Sequence, residues 1–155
     1  MSTRSLSRNS KAPISLTMLC AFLALAASAM GQSAKGESQD VHCSNRTLSG
    51  DYGFTLEGVI LAPNFQIRGV VLQHYDGKGN ITQVDHVVVN GMAPPQEWAP
   101  GTGTYTVNPD CTGAAVLHTP LNPEVKLHFV VVRHGTEIHQ VVDADAVTAI
   151  GIKVK

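Results

Sequence analysis

After Cys43 the chain alternates apolar and polar residues with a period of two. The alternation runs between turn-forming clusters, and no stretch shows a convincing helical period or capping box. A period of two places successive side chains on opposite faces of an extended backbone. Tyr52, Phe54 and Leu56 alternate in this way with Gly53, Thr55 and Glu57. Further strands are expected over 65–75, 81–89, 103–107, 114–119, 125–133, 137–142 and 147–154. The turns Asp76-Gly77-Lys78-Gly79-Asn80 and Asn108-Pro109-Asp110-Cys111-Thr112-Gly113 separate them. The segment 90–101 holds Pro94, Pro95 and Pro100 and is expected to stay out of any central strand. Short strands joined by hairpins fit a sandwich or a closed barrel. The simple meander order and the removal of exposed edges favour an all-β, antiparallel up-and-down eight-stranded β-barrel. Such a barrel is just wide enough to fill itself with side chains or to hold one small ligand.

The strands are preceded by an address. Arg4, Arg8 and Lys11 form a positive segment, residues 14–27 are an apolar run, and Ala27-Ser28-Ala29 supplies small residues for cleavage. The run is short for a transmembrane helix, which needs about 20 apolar residues. Cys20 lies inside it and follows Leu19 rather than a small residue, so it reads as removed with the signal. The expected organisation is a signal peptide over 1–31, a flexible leader over 32–42 and one β-barrel domain over 43–155. The expected location is secreted or periplasmic, with no membrane span in the mature chain. Loss of Arg4, Arg8 and Lys11 leaves an acidic mature domain, because every Asp and Glu follows residue 31. No nucleic acid is expected as a partner of such a surface. With 43% hydrophobic and 15% charged residues, the composition excludes a disordered chain, a coiled coil and a collagen-like repeat.

Two cysteines survive cleavage, Cys43 and Cys111. In an oxidising compartment one disulfide is the default, and two lone cysteines without CxxC spacing argue against zinc.

The turn at His134-Gly135 fixes a register. If Arg133 opposes Thr136, then Lys126 opposes Asp143, an opposite-charge pair that supports this pairing. One face then carries Val125, Leu127, Phe129, Val131, Ile138 and Val142, and is a core face. The other is mixed and carries Lys126, His128, Val130, Val132, Glu137, His139, Val141 and Asp143, a hint of homo-oligomerisation. His128 and His139 become diagonal neighbours within about 7–8 Å. With Glu137 or Asp143 beside them they are candidates for binding a metal or another ligand, or for acid–base work, or else plain exposed or interface histidines. His74 and His86 share a face, but lie roughly 13 Å apart at ~3.3 Å per residue, too far to share an ion. No metal site and no cofactor is expected. Glu57, Arg68, Asp85 and Arg133 are charges within strands; inward they would be polar handles of a pocket, and outward, the expected case, solvated. Asp85 and His86 are adjacent and so point to opposite faces. The loop 90–101 carries Trp98, placed either in a lid over the barrel mouth or at the end of the core. Asn45-Arg46-Thr47 and Asn80-Ile81-Thr82 match the glycosylation sequon, which matters only in a eukaryotic secretory host.

Three segments together, 43–54, 76–80 and 103–113 (CSNRTLSGDYGF, DGKGN and GTYTVNPDCTG), resemble a group of secreted, largely uncharacterised bacterial proteins. Those look like small β-barrels of allene oxide cyclase-like or calycin-like type. The resemblance spans about residues 43–154. It implies a barrel and supports the Cys43–Cys111 pairing, but implies no settled activity, and no catalytic residue maps onto this chain. Three functions follow as expectations. The first is a binding module for a small apolar ligand or a protein partner, with Glu57, His74, Trp98, His128 and His139 as candidates. The second is a cyclase or isomerase acting on an apolar substrate, which needs Glu57, His74, His128 or His139 to face a cavity. The third is an oligomeric structural envelope protein.

Overall fold

The computed structural model describes residues 42–155 apart from Leu121. The segments expected as signal peptide and leader lie, but for His42, outside the described residues. The chain forms eight strands: β1 (Ser49–Ile60), β2 (Phe65–Asp76), β3 (Asn80–Val89), β4 (Ala99–Val107), β5 (Thr112–His118), β6 (Val125–Val132), β7 (Glu137–Val142) and β8 (Ala146–Lys153). Each pairs antiparallel with the next, and β8 returns to β1, so the sheet is a closed barrel in simple meander order. Closure satisfies both edges of every strand along its paired length. Among the described residues, no helix is long and apolar enough to cross a membrane.

The registers expected around the two clearest turns are those observed. Leu127 opposes Val142 and Val132 opposes Glu137 across β6 and β7. Tyr75 opposes Ile81 and Val70 opposes His86 across β2 and β3. The core face holds as well: Leu127, Phe129, Val131 and Ile138 are all buried.

One boundary differs. β4 begins at Ala99, and Pro100 opposes Val84. At this point β4 has a neighbour only in β3, since its pairing with β5 starts at Thr102. A proline ring is tolerated where one side of the strand stands unpaired.

The two ends of the barrel are built differently. At one end a 3-10 turn, Asn45–Thr47, and Leu48 plug the bore. The Cys43–Cys111 disulfide ties this plug to the β4–β5 turn. The Cys43 amide donates to Pro109 O at 3.1 Å, and the Val107 amide donates to Asn45 Oδ1 at 2.8 Å. Three tyrosines stack edge to face below the plug, Tyr52–Tyr75 at 5.3 Å and Tyr75–Tyr105 at 5.0 Å between ring centroids. Tyr52 donates to Gly135 O at 2.5 Å, and Tyr105 Oη lies 2.9 Å from the carbonyls of both Asn45 and Leu48. Burial raises all three phenols, Tyr105 to about 12, so they are neutral donors at any physiological pH.

The β2–β3 turn beside the plug is held by one carboxylate. Asp76 Oδ1 accepts from the amides of Lys78, Gly79 and Asn80 at 2.7–2.9 Å. The hydrogen bond from the Asn80 side chain, joined by these amide bonds, holds its carboxyl down at about 2. A carboxyl depressed in the fold stabilises it above the unfolded value, and that contribution is lost as pH falls through about 2. Asp76→Asn is therefore expected to flatten the loss of stability between about pH 4 and pH 2. Urea unfolding across that range is the check, and an acid limb as steep as that of the parent would refute it.

Candidate functional site

The other end of the barrel is open and leads into a cavity of about 180 Å³. Its walls are aliphatic, including Leu56, Ile67, Val71, Leu117, Leu127 and Val147. The polar groups at its rim are already engaged. Asp145 Oδ1 accepts from the Leu61 amide at 3.0 Å, and Thr119 and Asn122 bond to one another.

Deeper in, four polar side chains converge: Gln73, Gln83, Asp85 and Gln140. Gln73, Gln83 and Asp85 are 2%, 8% and 7% exposed. They form a directed chain of hydrogen bonds rising from the tyrosine layer. Tyr75 O–H donates to Gln73 Oε1 at 2.7 Å, Gln73 Nε2 to Gln83 Oε1 at 2.8 Å, and Gln83 Nε2 to Asp85 Oδ2 at 2.9 Å. Gly101 makes room for this chain, because a Cβ there would stand 2.9 Å from Gln83 Cγ. Gln140 enters from the far wall, and its Oε1 is buried without any hydrogen-bond donor. Buried polar atoms are rarely left so.

Asp85 was expected to face solvent and instead faces the bore. The alternation along β3 explains the inversion. Tyr75 and Ile81 both point inward, and counting in twos from Ile81 brings Gln83 and Asp85 to the same face. Desolvation raises the Asp85 carboxyl above the ordinary carboxylate range, with Gln83 opposing the shift. The sign follows from linkage. A raised carboxyl carries no penalty below its unfolded value, and destabilises the fold as pH rises through the folded value. Asp85→Asn is thus expected to gain stability relative to the parent as pH rises from 4 to 7. Paired urea unfolding curves at the two pH values test this, and a constant difference would contradict it.

None of the five candidates named from sequence lines this cavity. Glu57 lies on the outer wall and pairs with Arg68 at 3.2 Å, beside a shallow depression that includes Thr55, Val70 and Ile150. His74 Nδ1 lies 2.7 Å from Asp51 Oδ1, also outside. His128 and His139 do share a shallow outer depression. Each is engaged by its own carboxylate, His128 by Asp143 at 2.9 Å and His139 by Glu137 at 2.5 Å. Glu137 also receives Arg133 at 2.6 Å. The exposed His128–Asp143 pair contributes little stability. An acid–base role inside the bore falls to none of these four. Among the described residues, no three His, Cys, Asp or Glu side chains come together as a metal site. Trp98 neither covers the mouth nor enters the core. It is 47% exposed and packs edge-on to His86 on the outer wall, where His86 Nδ1 lies 2.6 Å from Glu97 O.

The residues that do meet in the bore were missed at Gln73, Gln83 and Gln140. Glutamine carries no motif, and the available signal was its position in the alternation. Compared with known proteins by sequence, the chain matches no family model and none of the curated proteins.

Proposed function

We propose that this protein is an exported binding module that holds one small, largely apolar molecule in the open half of its barrel. The observation that carries this reading is the aliphatic cavity whose floor gathers Asp85 and three glutamines, one with a buried oxygen left unpartnered. A barrel with no ligand to hold gains stability by filling this space with hydrocarbon. Export to the periplasm or beyond fits the signal-like N-terminus, and the disulfide belongs to an oxidising compartment. The resemblance to secreted bacterial barrels of allene oxide cyclase-like or calycin-like type agrees with a carrier or binding role, and we adopt it as the family proposal.

The test is native mass spectrometry of the exported product of the full chain, parent against Val87→Phe. Val87 lines the cavity and is only partly buried, so a larger ring there fills the space with little strain. A small molecule retained by the parent and lost from the variant is the expected result. Retention by both would place the ligand elsewhere.

A second reading has its own observation. Ile152, Leu72 and Val84 lie in one row across β8, β1, β2 and β3, with Gly53 between the first two, and Ile150 and Val70 lie in the next. All five are exposed, an apolar stripe on the outer wall suited to self-association. The same spectra report the subunit count, and a strictly monomeric species at high concentration would remove this reading.

A further inference from the structure

We propose that the molecule held in the bore is a small apolar amine, its ammonium set against Asp85 and its hydrocarbon against the aliphatic wall. This rests on the interior-binding reading above and adds the chemical class.

The free oxygen of Asp85 is the first ground. Gln83 is the one described residue that donates to this carboxyl, and it donates to Oδ2, which leaves Oδ1 without a donor. Among the described residues, the one fully enclosed side-chain polar atom that lacks a hydrogen-bond partner is Gln140 Oε1. Asp85 Oδ1 is therefore unpartnered but not enclosed, and since Asp85 lines the cavity, this oxygen opens into it. The residue as a whole is only 7% exposed.

Charge is the second ground. The ionisable side chains lining the cavity are Asp85 within and Asp145 at the rim, and no Lys, Arg or His joins them. Asp145 Oδ1 is engaged by the Leu61 amide, which brings no counter-charge. The bore thus holds acids and no base, a field that draws cations in and turns anions away.

A buried carboxylate is costly unless a cation answers it. Folding has already taken Asp85 out of water, so an ammonium that reaches it must offset only its own desolvation. One of its N–H groups can then donate to Oδ1 in a charge-assisted bond. A hydroxyl in its place would give the weaker, uncharged donor, and a hydrocarbon would leave Oδ1 unpartnered. Size sets the remaining limit. A cavity of about 150 Å³ accommodates benzene, so 180 Å³ admits about eight non-hydrogen atoms.

Benzylamine, benzyl alcohol and ethylbenzene have this size and the same shape, and differ only in the terminal group. Calorimetric titration of the exported product of the full chain with each, at neutral pH and fixed salt, is the experiment. Benzylamine is expected to bind about 10- to 100-fold more tightly than ethylbenzene, the margin of a hydrogen bond to a charged group, with benzyl alcohol between them. Asp85→Asn keeps the shape and an acceptor for Gln83 but removes the charge. It is expected to lose most of this margin while ethylbenzene binds as before. Asp85→Leu is the second variant, expected to lose the margin and to tighten ethylbenzene. Val87→Phe is expected to weaken all three, which separates the bore from the acidic outer surface. Equal affinity of the parent for benzylamine and ethylbenzene would overturn the amine while supporting an interior site. Tightest binding of benzyl alcohol would overturn it in favour of a neutral donor. A benzylamine margin that survives both Asp85 variants, or is untouched by Val87→Phe, would overturn it by placing the ammonium elsewhere. Binding of none of the three would overturn both this inference and the interior-binding reading.

Discussion

Replacing Cys43 and Cys111 together by serine is expected to lower the unfolding free energy by about 4 kcal/mol. The bridge closes a loop of 68 residues, and it acts mainly by denying the unfolded chain the freedom such a loop would have. The loop spans β1 to β4, half of the strands, so its closure restricts a large part of the unfolded ensemble. For a domain of this size the loss corresponds to a fall in Tm of about 15 °C. Scanning calorimetry of the double variant against the parent measures it. A loss under about 1 kcal/mol would mean that the plug holds by its own contacts. Those contacts are real: Leu48 is fully buried, and Asn45 and Cys43 both bond to the β4–β5 region. The bridge and the plug are therefore expected to fail together, with the closed end fraying first.

The other large effect is expected at Phe54. Its ring is 2% exposed and lies over Gly151 of the adjoining strand. A Cβ at Gly151 would stand 2.4 Å from ring atoms of Phe54. Phe54→Ala empties this place and is expected to cost about 3–5 kcal/mol. Gly151→Ala alone is expected to cost about 1–3 kcal/mol, through the overlap with the ring. In the Phe54→Ala background the same change has space, so the two costs are expected to be less than additive. Chemical denaturation of the four proteins of this cycle is the measurement. Strict additivity would show that the ring and the glycine do not depend on each other.

The barrel was legible because its turns carry strong local signals. Asp76-Gly77-Lys78-Gly79-Asn80 and His134-Gly135 fix two registers, and the core face of β6 and β7 follows from them. The start of β4 was not legible. A proline within a strand reads as a break unless it is known that the strand beyond it has a partner on one side only. The site was misread for a related reason. Histidines and acids in strands draw notice, yet in a closed barrel the side on which they stand decides their role. The core face already held Ile138 and Val142, and Gln140 lies between them on that same face. Carrying the β2–β3 register one step further places Gln73, Gln83 and Asp85 together inside. The alternation held this information, but chemical salience pointed to the outer wall.

The placement of the plug settles how the molecule presents itself. The strands begin beside it at Ser49, and β8 ends there as well, with Lys153 opposite Tyr52 and the Val154 amide bonded to Asp51 O. Both ends of the described chain thus leave from the sealed pole, away from the entrance. A support, a reporter domain or an affinity matrix joined at either end would leave the entrance unobstructed. Under the binding role proposed above, immobilised protein is expected to take up solute as readily as protein free in solution.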